Sequence, residues 1–141
     1  MKKPILQVED SEDDARLLQL AFQKAGIINE IITIHSGDEA ICYLKGEGAY
    51  ADRATFPMPG VLLLDLKLPG TSGFEVLEWI KQQSSPPDTL LVAISGYSEM
   101  HNVNRAYKLG ARSFLTKPIN PEDIVNLTKA FGGYWSFKTP G

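Results

Sequence analysis

VLLLDLKLPGTSG, residues 61–73, runs four apolar residues straight into an aspartate, Asp65, and then turns through Pro69 and Gly70 toward Gly73. Apolar residues at every successive position fit a strand covered on both faces, as in the centre of a parallel sheet flanked by helices. Asp65 then has two readings. It is a turn residue ahead of Pro69, or it is a functional acid placed at the rim of a sheet. The rest of the chain has to choose between them.

Four further short apolar runs lie outward from this one: ILQV (5–8), IITI (31–34), LLVAIS (90–95) and SFLT (113–116). Segments with helical spacing separate them. The first carries Leu17, Leu18, Ala21, Phe22 and Ala25 and stops at Gly26. The second opens SGDE (36–39) and the third SGFE (72–75), both patterned as capping boxes in which Ser caps and Glu reaches back. The fourth spans about Ser98 to Gly110, and the fifth opens NPED (120–123), an Asn cap with Pro at the first helical position. Strand and helix alternate five times, which predicts an α/β chain with a doubly wound, five-stranded parallel sheet. The connection GEGAYADRATFPMPG (46–60) is longer than usual and polar, and it reads as a surface insertion or a contact loop.

Bulk properties exclude several classes. The chain has 141 residues, 43% hydrophobic and 22% charged, which suits one folded domain with a real core. A net charge of −3 favours neither nucleic acid nor an anionic membrane. No apolar run approaches the roughly 20 residues of a membrane span, and the apolar start breaks at Gln7 and Glu9, too early for a signal peptide. A cytoplasmic location is therefore expected. The single cysteine, Cys42, excludes an internal disulfide and is expected to pack as a small apolar residue on a helix.

In open parallel sheets, ligands bind beyond the carboxyl ends of the strands. There the first strand is followed by Glu9 and Asp10, the third ends in Asp65, the fourth in Ser95, and the fifth leads into Lys117-Pro118. In the strand order 2-1-3-4-5 the first and third strands are neighbours, so Glu9, Asp10 and Asp65 converge. Acids that close repel one another and call for a hard divalent cation, Mg²⁺, with Lys117 as a second positive charge. A carboxylate nucleophile, a metal, an ammonium and a hydroxyl are the parts that phosphoryl transfer requires. Glu12, Asp13 and Asp14 read more simply as acids suited to a helix N-terminus. Taken singly, Lys117 is also a surface lysine and Ser95 a turn former; only their joint placement favours a site.

With ILQVEDSEDDARLL (5–18), VLLLDLKLPGTSGFEVL (61–77), VAISGYSE (92–99) and AYKLGARSFLTKP (106–118), the chain resembles the receiver domains of two-component response regulators. The resemblance implies a flavodoxin-like fold, with residues 1–131 as the receiver domain and 132–141 as an aromatic tail. It implies that Asp65 is the phosphoacceptor, served by the phosphohistidine of a sensor histidine kinase. Asp10, Glu9, Asp65 and the backbone carbonyl of Lys67 would bind Mg²⁺. Ser95 and Lys117 would grip the phosphoryl oxygens, and Phe114 would be the switch aromatic, although a plain core aromatic fits it equally. Lys67 and Tyr97 sit where receivers tune dephosphorylation, and slow self-dephosphorylation is expected. The switched surface would be that of the fourth helix, fifth strand and fifth helix, binding a downstream protein target.

No output domain follows in the chain, so the expected output is a contact. The long loop, through YLKGEGAYADR (43–53), and Tyr134-Trp135 resemble the small regulators paired with bacterial phytochrome kinases. Tyr134, Trp135 and Phe137 form an exposed patch for a homodimer partner, or a tail folded over the fifth helix. His35 and His101 read as surface residues. Three rivals remain: a haloacid-dehalogenase phosphatase, which wants an acid where Lys67 stands; a flavin-binding module, colourful when purified and disfavoured by the acids after the first strand; and a degenerate receiver acting as a phosphorylation-independent scaffold.

Overall fold

The apolar runs form strands; the three at the centre of the sheet, Ile5–Val8, Val61–Asp65 and Leu90–Gly96, are buried on both faces, whereas the edge strands Ile31–Ile34 and Ser113–Lys117 are only partly buried. The computed structural model describes residues 2–83, 88–96 and 102–139. Its elements alternate as β1 (Ile5–Val8), α1 (Glu12–Lys24), β2 (Ile31–Ile34), α2 (Gly37–Lys45), a 3₁₀ turn (Gly48–Tyr50), β3 (Val61–Asp65), α3 (Gly73–Lys81), β4 (Leu90–Gly96), α4 (Val103–Lys108), β5 (Ser113–Lys117) and α5 (Pro121–Ala130). All pairings in the sheet are parallel and the order is β2-β1-β3-β4-β5. This is the doubly wound, flavodoxin-like arrangement expected from the sequence.

Strand periodicity divides the core in two. Leu6, Val8, Leu62, Leu64 and Ala93 pack with α2, α3 and α4. Ile5, Leu63, Val92, Ile94 and Leu115 pack with α1 and α5. Every residue of β3 is buried, as an uninterrupted apolar run requires.

The helix ends follow local chemistry, with the two expected capping boxes only half formed. Ser11, Ser36, Ser72 and Asn120 each cap a helix through the side chain. Among the described residues only Asn120 and Asp123 form the full reciprocal box, so neither expected box, Ser36–Glu39 nor Ser72–Glu75, is completed. The Glu39 carboxylate instead accepts a 2.7 Å hydrogen bond from Tyr50 Oη, a longer-range partner that the local pattern does not reveal. Within the expected fourth helix, α4 begins at Val103; residues 97–101, including Tyr97, Ser98 and His101, lie outside the described residues.

Three further expectations change. Cys42 is exposed on α2 rather than packed. Leu17, counted on the apolar face of the first helix, is 55% exposed, because α1 buries Leu18, Ala21 and Phe22 instead. The 46–60 connection is not simply polar surface. Arg53 donates to the carbonyls of Tyr43, Leu44 and Phe56, closing the C-terminal end of α2. Tyr43, Tyr50 and Phe56 pack against one another there through tilted and edge-to-face ring contacts.

The C-terminal segment folds back on the domain. Trp135 is buried against Phe22 of α1, and its Nε1 donates to the Phe131 carbonyl at 2.6 Å. Phe137 stays about half exposed and bridges Ile27 in antiparallel fashion. Asn29 ties the segment to the sheet, donating to the carbonyls of Lys3 and Tyr134 and accepting from the Ser136 amide. Among the described residues no helix is long and apolar enough to cross a membrane.

Candidate functional site

The strands deliver their acids and their lysine to one rim of the sheet. Glu9 and Asp10 follow β1, Asp65 is the last residue of β3, and Lys117 is the last of β5. Asp65 lies two residues beyond Leu63, and Lys117 two beyond Leu115, so both continue the face covered by α1 and α5. Glu9 follows Val8, which faces the other way, and so shares their side. Alternation aims Ser95 and Phe114 toward the α2–α3–α4 face. The expected site is therefore split across the sheet: an acid–amine cluster on one side, a hydroxyl and an aromatic on the other.

The cluster is tight. Lys117 Nζ donates to Glu9 Oε1 at 2.7 Å, Asp14 Oδ2 at 2.9 Å and Asp65 Oδ2 at 3.0 Å. Asp65 is held from its other side, where Oδ1 accepts from the Lys67 amide at 2.9 Å. Glu9 Oε2 accepts from the Ser11 amide at 3.3 Å. Glu9 and Asp65 are buried, whereas Asp10 is exposed. Burial pushes the Glu9 carboxyl up to about 7; the hydrogen bond from Lys117 pulls it down, and neighbouring Asp65 adds to the rise. Burial alone would lower the Lys117 ammonium. Its hydrogen bonds to Glu9, Asp14 and Asp65 outweigh that and hold it above the ordinary lysine value.

The donor set suits a hard cation. Glu9, Asp10 and Asp65 each offer an oxygen, and the three oxygens lie within 4.8 Å of one another. Oxygen ligands at this spacing reach one divalent ion after small side-chain rotations, with room left for water. The cleft they line measures about 250 Å³ and also takes in Lys67 and Lys117. Ser95 is in a different state. Its Oγ is buried with no hydrogen-bond partner among the described residues, an arrangement that costs about 1–3 kcal/mol unless a ligand supplies the partner. Phe114 is partly buried, packed against the α2–α3–α4 core.

Glycine brings α3 close to Asp65. A Cβ on Gly73 would collide with the Asp65 carbonyl oxygen and approach Leu66 Cα at 2.6 Å. Ser72 caps the helix at that same point.

One site residue was not foreseen. Asp14 was read as a helix-dipole acid, yet it binds Lys117. Its neighbours Glu12 and Asp13 are exposed and keep the simpler reading. A signal was available: Asp14 heads the stripe Asp14, Leu18, Ala21, which faces the sheet, whereas Glu12 and Asp13 fall outside it.

Comparison with known proteins supports one family. Residues 5–129 match the response regulator receiver domain. The chain is 35% identical over 136 residues to response regulator Rcp1 of Synechocystis sp., covering 94% of this chain and 88% of that protein. A structure of Rcp1 in its Mn²⁺-bound form superposes with a TM-score of 0.73 at 34% identity, covering 91% of this chain and 90% of the other. The bacteriophytochrome response regulator RtBRR superposes with a TM-score of 0.86 at 32% identity, covering 99% and 84%. The phosphorylated cyanobacterial phytochrome response regulator RcpA gives 0.77 at 32% identity, covering 96% and 94%.

Proposed function

The chain belongs to the response regulator receiver domain family, and from that premise we propose that Asp65 accepts a phosphoryl group from the phosphohistidine of a sensor histidine kinase of the phytochrome type. The observation that carries this reading is the placement of Asp65: a buried carboxylate at the sheet rim, 3.0 Å from Lys117 Nζ and within metal-sharing distance of Glu9 and Asp10.

In the proposed transfer, an Asp65 carboxylate oxygen attacks phosphorus in line. A P–O bond forms, the P–N bond breaks, and its electron pair returns to the imidazole of the kinase. Mg²⁺ held by Glu9, Asp10, Asp65 and the Lys67 carbonyl would offset the charge of the transferring phosphoryl oxygens. Lys117 supplies a fixed ammonium to a phosphoryl oxygen. The unpartnered Ser95 hydroxyl finds its acceptor there by moving toward the rim, and Phe114, on the same face, fills the space it leaves. That couples charge at Asp65 to the surface of α4, β5 and α5, where a downstream protein would read it. Slow hydrolysis, with Lys67 and Tyr97 setting its rate, returns Asp65 to the carboxylate. The acids crowding the rim disfavour the flavin reading, because they repel a phosphate where such a module would cradle one.

Incubation with acetyl phosphate and Mg²⁺ followed by intact-mass measurement tests the assignment. One added phosphoryl group is expected on the wild-type chain and none on Asp65→Asn. Undiminished labelling of the variant would overturn it. Phosphotransfer from purified phytochrome kinases, compared with other sensor kinases, tests the partner.

A further inference from the structure

The Lys117 ammonium has three N–H donors, and three carboxylates occupy them. A phosphoryl oxygen on Asp65 takes over the donor that Asp65 Oδ2 now holds, and a second phosphoryl oxygen reaches Lys117 only where another carboxylate gives up its donor. Glu9 and Asp65 are the buried acids that share the metal-competent cluster, with side chains 6% and 5% exposed. The Asp14 side chain is 42% exposed and lies outside that cluster. Water can replace Lys117 at Asp14 with little desolvation cost, whereas at Glu9 it cannot. Asp14 is therefore the ligand released. Its charge then remains beside the new dianion.

Asp14 cannot simply swing away with its helix. Ser11 Oγ accepts from its backbone amide at 3.3 Å. The next carbonyl, that of Ala15, accepts at 3.2 Å from Nε2 of the buried Gln7 on β1. Gln7 Oε1 is engaged in turn by Gln19 and Thr33. This buried amide network pins the first turn of α1 to the sheet directly beneath the rim.

Resting on the reading of Asp65 as phosphoacceptor, we infer that Asp14 is a positioning residue that restrains phosphorylation: it holds Lys117 in the unphosphorylated chain and opposes the arriving phosphoryl group by charge. Asp14→Asn keeps the shape and removes the charge. One negative charge removed at about 5–6 Å, in a half-exposed cleft, changes affinity for an arriving monoanion, the charge of trifluoroberyllate, on the order of tenfold. The variant should bind beryllofluoride, a phosphoryl mimic that needs no transfer step, about tenfold more tightly with Mg²⁺ present, followed by NMR shifts. It should also accept phosphoryl faster from acetyl phosphate, a dianion, with a smaller gain from phosphoramidate, a monoanion. A merely structural role would not distinguish donors by charge. Asp14→Glu restores the charge and should match the wild type. A wild-type chain labelled by neither donor refutes the phosphoacceptor reading and this inference with it. A labelled wild type whose Asp14→Asn variant shows equal or weaker beryllofluoride binding refutes the inference alone.

Discussion

Replacing Lys117 with methionine separates its two roles and gives opposite effects on metal binding and on chemistry. The side chain keeps much of its length and apolar body but loses the ammonium that joins Glu9, Asp14 and Asp65. Without metal, at pH 8, Glu9 loses the ammonium that holds its carboxyl down, so it either takes up a proton or stays charged and unpaired in a buried site, and both outcomes cost stability. Breaking a fully buried pair costs about 3–5 kcal/mol. Because the Lys117 side chain is 25% exposed and Asp14 more so, the expected loss in urea unfolding is about 2–3 kcal/mol. Mg²⁺ should behave in the reverse sense. An ion shared by Glu9, Asp10 and Asp65 would sit about 5 Å from Nζ, where Coulomb repulsion in a half-exposed cleft is about 2–3 kcal/mol. Removing the ammonium should therefore tighten Mg²⁺ binding by about 30-fold to 150-fold, measured by calorimetry at pH 8. Metal at a hundred times its dissociation constant then returns about 2.7 kcal/mol of stability. Phosphoryl acceptance should nonetheless fall by about 10²–10³-fold, the scale for losing one preorganised cation or donor. If Lys117→Met binds Mg²⁺ no more tightly than the wild type, the cluster does not share an ion and the electrostatic account fails.

Glu9 makes metal-free stability depend on pH: its folded value of about 7 lies above its ordinary 4.5, so the folded state holds the proton more firmly and stability falls as pH rises from about 4.5 to about 7. Urea unfolding in EDTA should show that slope and Glu9→Gln should flatten it; an equal slope in both proteins excludes Glu9 as its source. Gly73→Ala forces a methyl against the Asp65 carbonyl, so a loss of about 1–3 kcal/mol is expected, with slower phosphoryl acceptance because the Asp65 backbone has to shift. A variant as stable and as readily labelled as the wild type shows that the β3–α3 junction yields freely. Trp135→Ala should cost about 3–5 kcal/mol in thermal or urea unfolding, since Trp135 is 5% exposed and packs on Phe22; a loss under 1 kcal/mol would show the segment detached in solution.

The sequence by itself determined the sheet and the direction of its acids. Five apolar runs became five strands with bounds within a residue of those read, because short apolar runs bounded by polar and turn residues suit strands covered by helices. Once the order β2-β1-β3-β4-β5 is granted, the residues after β1 and at the ends of β3 and β5 have nowhere to go but one rim. Tertiary structure alone decided what lies opposite what. Asp14 looked like any first-turn acid until β5 brought Lys117 across 103 positions of chain to meet it. Glu39 left its cap for Tyr50, Cys42 and Leu17 turned outward, and Trp135 turned inward onto Phe22, each according to a neighbour distant in sequence. Periodicity records which side of an element is apolar. It does not record which remote side chain arrives there, and the charge and burial of a site are set by those arrivals.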